Sequence, residues 1–185
     1  NFTDFISGGS ASYPTFFLHK SQTWVPPQDG NICIHVIGAG GGGAGYDGTP
    51  RSGAAGGYSK KNTLAVTTSG SFTVVIGAHG NGAAGNNGFA GGASTVAGTG
   101  LSATLTANGG AGGAYVGGTA AGGTATGGDV NNTGGAGGPT GARRALMQWM
   151  QDVNVVLMIR LKSTRALHQS RNHHLTSSPP QRSAP

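Results

Sequence analysis

Apolar and polar positions alternate only in short runs along the first 141 residues. The run NICIHVI (31–37) sets Ile32, Ile34 and Val36 against Cys33, His35 and Ile37. That is the period of a strand with one face more apolar than the other. LAVTT (64–68), SFTVVI (71–76), ASTVA (93–97) and LSATLTA (101–107) are equally short and rich in β-branched residues, so they also read as strands. Ser69-Gly70, between LAVTT and SFTVVI, predicts a hairpin. Residues 1–30 are polar with aromatic islands at Phe2, Phe5, Phe16, Phe17 and Trp24, and they end in the turn signal WVPPQDG. Nothing between 31 and 141 repeats with helical spacing. The expected fold is therefore mainly β, a small sheet of short strands with glycine-rich loops and no α/β core.

The pattern changes beyond residue 141. Leu146, Met150, Val153, Leu157 and Leu161 follow spacings of 4, 3, 4 and 4, a stripe that predicts a helix over 143–162. The ending SRNHHLTSSPPQRSAP is polar and proline-rich, of a disordered type. Three regions result: a leading segment or linker (1–30), a glycine-rich β domain (31–141) and a tail (142–185).

Composition sharpens that division. Of 38 glycines only Gly8, Gly9 and Gly30 fall outside residues 38–141, a window that is about one-third glycine. Collagen is excluded, because the glycine period is irregular and proline is scarce. Ordered glycine loses more conformational freedom than any other residue, so these blocks require strong backbone hydrogen bonding or a rigid frame. Only 36% of residues are apolar, which limits the core. Charge divides at the same boundary. Lys20, Arg51, Lys60 and Lys61 balance Asp4, Asp29, Asp47 and Asp129, so the body is neutral. The tail sets Arg143, Arg144, Arg160, Lys162, Arg165, Arg171 and Arg182 against Asp152 alone, and the whole net charge of +6 belongs to it. A neutral body lacks the basic footprint of a nucleic-acid binder or of a protein drawn to an anionic membrane.

Candidate chemistry is sparse. Cys33 is the one cysteine, which excludes an intrachain disulfide and a cysteine-rich metal site, and its strand context favours a buried small hydrophobe. His35 reads as a packed or edge residue, and His79 as a loop position open to surface contact. Gly38-Ala-Gly40-Gly-Gly-Gly43 matches the dinucleotide fingerprint, but AGYDGTPRSGAAGG follows where that motif needs a helix. No phosphate loop, ligand spacing or Ser/His arrangement is present. No cofactor, no metal and no enzymatic activity are expected. No stretch reaches the length of about 18 apolar residues needed to span a membrane. The sequence starts at Asn1 rather than methionine, which suggests a fragment or a processed product.

An internal echo points to what the glycine blocks do. Val36-Ile37-Gly38-Ala39 recurs as Val75-Ile76-Gly77-Ala78, each time followed by more glycine, so two strands feed two loops at one pole. Polyglycine can form three-fold polyproline-II-like helices that bond side by side, since no β-carbon separates the backbones. The tips of such a stack would carry Tyr46, Asp47, Arg51, Asn86, Asn87, Phe89, Tyr115 and the run Asp129–Asn132. Aromatic and amide side chains on a rigid frame suit recognition of a surface. The plainer alternative is that they only solubilise the loops.

The ordered set TWVPP (23–27), ICIHVIGAGGGGAG (32–45), GGYSKKNTLAV (56–66), SFTVVIGAHGNG (71–82), GGASTV (91–96) and LSATLTANGGAGG (101–113) resembles the glycine-rich domain of bacteriophage tail fibres and tail-tip adhesins. The resemblance covers roughly residues 23–141. It implies a virion protein, extracellular at the distal end of a fibre or tail, joined to other tail proteins and often trimeric. Its loops would attach to the host through a bacterial surface receptor, either a glycan or an outer-membrane protein. No nucleic acid is implied as a partner and there are no catalytic residues to transfer. By loop position the receptor-binding residues are Tyr46, Asp47, Arg51, Asn86, Asn87, Phe89 and Tyr115.

The tail departs from that resemblance, because relatives continue in glycine. It reads as a basic amphipathic helix on an anionic surface, as a short trimer-forming helix, or as the product of a change of reading frame near residue 141. The simultaneous switch in glycine, charge and apolar content favours the last. Two other functions remain open for the whole chain. One is a purely structural fibre or matrix component. The other is an ice-binding protein, for which the expected regular glycine tripeptide is missing.

Overall fold

The computed structural model describes residues 14–45, 51–138 and 157–162. Twelve short strands follow in chain order: β1 (Thr15–Leu18), β2 (Gln22–Trp24), β3 (Gly30–Ile37), β4 (Ala44–Gly45), β5 (Tyr58–Val66), β6 (Phe72–Val75), β7 (Ala83–Ala84), β8 (Ser94–Gly98), β9 (Leu105–Ala107), β10 (Ala125–Thr126), β11 (Val130–Asn132) and β12 (Leu157–Lys162). They form two five-stranded sheets, ordered β1-β12-β3-β5-β11 and β10-β9-β8-β6-β2, with β4 and β7 as a separate parallel pair. The fold is mainly β, and no helix occurs among the described residues.

The two large sheets pack face to face because each has one apolar face to bury. Ile32, Ile34 and Val36 of β3 and Leu64 and Val66 of β5 meet Phe72 and Val74 of β6, Val96 of β8 and Leu105 of β9 in one cluster. The alternation in NICIHVI thus selects the buried face of β3. Two of the aromatic islands also enter the packing. Trp24 lies between Phe16 and Phe72, with ring centroids 5.9 Å and 5.7 Å away, in tilted geometry. Each buried large side chain contributes roughly 1.5–3 kcal/mol, so a cluster of this size can anchor a small sandwich.

Two expectations change here. Ser69-Gly70 does lie in a turn, where Gly70 N donates to Thr67 O at 2.9 Å. Yet the strands on either side do not pair: β5 lies in one sheet and β6 in the other. The turn is an arch across the sandwich, not a hairpin, because each strand buries its apolar face against the other sheet. The helix expected over 143–162 also needs correction. Its last six residues, 157–162, are strand β12, antiparallel to both β1 and β3. The spacing of four between Leu157 and Leu161 fits a period of two as well as 3.6, and pairing with β3 decides between them. Residues 143–156 lie outside the described residues, as does the junction at 141.

Candidate functional site

The glycine blocks extend from one end of the sandwich as seven extended segments: 38–45, 51–57, 77–85, 88–93, 108–114, 120–124 and 133–138. The first leaves β3 and the second returns to β5. The third and fourth join β6 to β8, and the fifth and sixth join β9 to β10. The seventh leaves β11 outward. Their hydrogen bonds recur with a period of three. Gly38, Gly41 and Ala44 of the first segment donate to the carbonyls of Gly57, Ala54 and Arg51 in the second, each at 2.9 Å. Ala39 and Gly42 donate to Gly92 and Phe89 in the fourth, at 3.1 and 2.8 Å. Gly40 and Gly43 accept from Gly80 and Ala83 in the third, at 2.9 and 3.0 Å, and Ala39 and Gly42 accept from Gly110 and Gly113 in the fifth, at 2.9 and 2.8 Å. A three-residue period with bonds only to neighbours is the signature of polyproline-II geometry packed side by side.

The bonding pattern sorts the segments into two layers. One layer runs third, first, second, seventh, and the other fourth, fifth, sixth. The first, second and fifth segments each bond to four neighbours, whereas the third and the seventh bond to two. Backbone amides and carbonyls therefore satisfy one another without a side-chain core. Glycine is required where backbones touch. A methyl group at Gly42 would fall inside the carbonyl of Asn81.

The outer turns of these excursions form the candidate site. The chain reverses at Gly85–Gly88 and again at 115–119. Gly85 (φ 72°), Gly117 (φ 64°) and Gly118 (φ 91°) supply the left-handed conformations those reversals need. The turns are tied together laterally. Gly85 N donates to Gly45 O at 2.9 Å, Gly88 N to Gly113 O at 2.9 Å, and Tyr115 N to the Asn87 side-chain oxygen at 2.6 Å. β4 and β7 pair Ala44 with Ala83 and Gly45 with Ala84, an offset of 39 residues. The VIGA echo has the same offset, so it marks two neighbouring parallel segments at one pole.

Asn86, Asn87 and Tyr115 thus come together at that pole, but Asn87 is partly spent on holding Tyr115 in place. Phe89 lies at the start of the fourth segment and is 64% exposed. Arg51 opens the second segment, where its backbone exchanges two 2.9 Å hydrogen bonds with Ala44. Its Nε is buried. Tyr46 and Asp47 lie outside the described residues, although Gly45 and Arg51 on either side of them belong to the pole. Val116, 80% exposed beside Tyr115, was not singled out from the sequence. Its only signal is its place just before two turn glycines. Asp129–Asn132 is at the other end of the bundle. Asp129 accepts from Lys61 Nζ at 2.7 Å and from Asn62 N at 2.8 Å, and Asn131 Oδ1 accepts from the buried Ser59 hydroxyl at 2.8 Å. That run clasps β11 to β5 and does not contribute to the tips.

Titratable groups elsewhere are few. Cys33 is buried, with its Sγ 3.3 Å from His35 Nε2, and His35 Nδ1 lies 2.7 Å from the Tyr58 hydroxyl. Burial, and secondarily Cys33, raises the Tyr58 hydroxyl above its ordinary value. The Lys61 hydrogen bond, followed by the Asn62 amide, holds Asp129 below the usual carboxylate range. Among the described residues no three His, Cys, Asp or Glu side chains converge as metal ligands. His79 is exposed in the third segment, on the flank of the bundle.

No curated protein matches the chain. The model of one family does, described as a glycine-rich domain, over residues 18–152. That is more than half of the sequence, and it spans the sandwich and the bundle alike. The chain belongs to the glycine-rich domain family.

Proposed function

We propose that this chain is a non-enzymatic virion protein of a bacteriophage tail fibre or tail tip, and that it binds a bacterial surface receptor through the outer turns of its glycine bundle. One observation carries the reading: separate excursions of the chain end in turns bonded side by side, at the pole far from the sandwich. A backbone-bonded stack holds its turns in fixed relation, so little ordering entropy remains to be lost on binding. Those turns expose an aromatic ring at Phe89, an amide at Asn86 and an apolar side chain at Val116. Such groups suit contact with a glycan or an outer-membrane protein. The glycine-rich body that carries the turns is neutral, which removes long-range attraction at the turns as the source of selectivity and leaves their shape and chemistry. Within a virion the chain would be extracellular, in contact with other tail proteins and with copies of itself.

Adsorption of the labelled full chain to a panel of bacterial cells tests this. We expect saturable binding to at least one strain. Changing Asn86, Phe89 and Val116 together to alanine should weaken it at least tenfold, while Gln28→Ala, at the opposite end, leaves it unchanged. Absence of binding to every strain, or equal loss from both variants, favours a purely structural fibre component.

A further inference from the structure

β12 sits between β1 and β3 and makes a ladder on both sides. Its residues Met158–Lys162 pair with His35–Asn31 of β3, and Leu157–Arg160 pair with Leu18–Thr15 of β1. β1 has no other sheet neighbour. The position of β1 in the sheet therefore depends on β12. β3, by contrast, is held on its other edge by β5 over nearly its whole length. The family match begins at Leu18 and ends before β12 starts. The β12 strand, with nearly all of β1, thus lies outside the portion that defines the domain.

With β12 detached, β3 would present an open edge behind Ile32, Ile34 and Val36, each no more than 1% exposed. A long apolar edge of this kind is a template for pairing with another strand. The matching strand is tethered by residues 139–156, a connection that can reach about 60 Å when extended. A β-ladder is made of backbone groups, so it is equally good whichever chain supplies the strand. The body that would receive a second copy's basic tail is neutral and offers no repulsion.

We propose that the β3 edge is a strand-accepting slot and that two copies of this chain join by exchanging β12, each inserting residues 157–162 between β1 and β3 of the other. Register gives the test. Asn31 and Lys162 are Cα partners, and partners in an antiparallel ladder lie about 4.5–5.5 Å apart, within disulfide reach. Two full-length chains are made with Cys33→Ser, one also carrying Asn31→Cys and the other Lys162→Cys. They are mixed, incubated and oxidised. Exchange predicts a disulfide-linked heterodimer whose yield rises with protein concentration. It should exceed several-fold the yield when Gln28→Cys replaces Asn31→Cys. A chain carrying both Asn31→Cys and Lys162→Cys, kept dilute, should close within itself. If Cys33→Ser does not fold, Arg160→Cys in the otherwise unchanged chain serves instead, because Arg160 is the register partner of the native Cys33. It should close internally when dilute and link copies when concentrated. Internal closure alone at every concentration overturns the exchange, and no closure in any variant overturns the slot.

Discussion

A methyl group added at Gly40 would meet nothing nearer than the Ala54 carbonyl oxygen at 3.8 Å, whereas one added at Gly41 would fall inside the Ala111 carbonyl. Gly40 faces outward from the bundle and Gly41 faces a neighbouring backbone, a consequence of the three-fold period. Gly41→Ala should lower stability by about 1–3 kcal/mol or more, since a segment must move and its hydrogen bonds lengthen. Gly40→Ala should be neutral or stabilise by up to about 1 kcal/mol through the unfolded chain. Denaturant midpoints of the two variants check this, and equal losses would contradict the bundle. The letters of the sequence cannot separate these positions, because both are glycine among glycines. Phe89 and Asn86 were legible as odd residues in a glycine context. The bond from Tyr115 N to Asn87 joins turns 28 residues apart, which no local pattern encodes.

At the scale of elements, the strands were the readable part. NICIHVI, SFTVVI and the core of LSATLTA alternate because each strand turns one face to the core shared by the two sheets. Pairing was less readable, as the arch at Ser69-Gly70 and the strand at 157–162 show. A local signal says that a chain turns or extends, whereas its partner is chosen by the packing. Asp129 illustrates the same limit. In sequence it is an acid in a glycine loop, and in the fold it clasps β11 onto β5. A bulge where β5 passes Cys33 lies beside the Asn62 amide, which donates to Asp129. Its carboxyl titrates below the ordinary value of 3.8. The native state therefore favours the ionised form, and its contribution is present above about pH 4 and is lost as pH falls through the depressed native value. Asp129→Asn should melt below the parent at pH 7, by a small margin since the pair is exposed. The difference should shrink as pH falls through the depressed native value. A gap that persists or widens at low pH would contradict the clasp.

The whole molecule divides its stability between two kinds of order. The sandwich is held by buried side chains, and the bundle by backbone groups that bond across two layers. Placing the second on the first fixes the turns at a distance from the core, and the proposed attachment function needs that distance and rigidity. Composition indicated that ordered glycine needs a frame, but the layer order depends on bonds between segments far apart in the chain, as from Ala55 N to Gly135 O. Amide hydrogen exchange of the full chain tests the central claim most directly. If the glycine blocks are a bonded bundle, the amides of Gly41, Gly42, Ala54, Gly110 and Gly113 exchange slowly, as those of β3 do, while those of Asn86 and Val116 at the turns exchange quickly. Fast exchange throughout the seven glycine segments, with protection confined to the sandwich strands, would show flexible glycine linkers instead and would contradict the bundle.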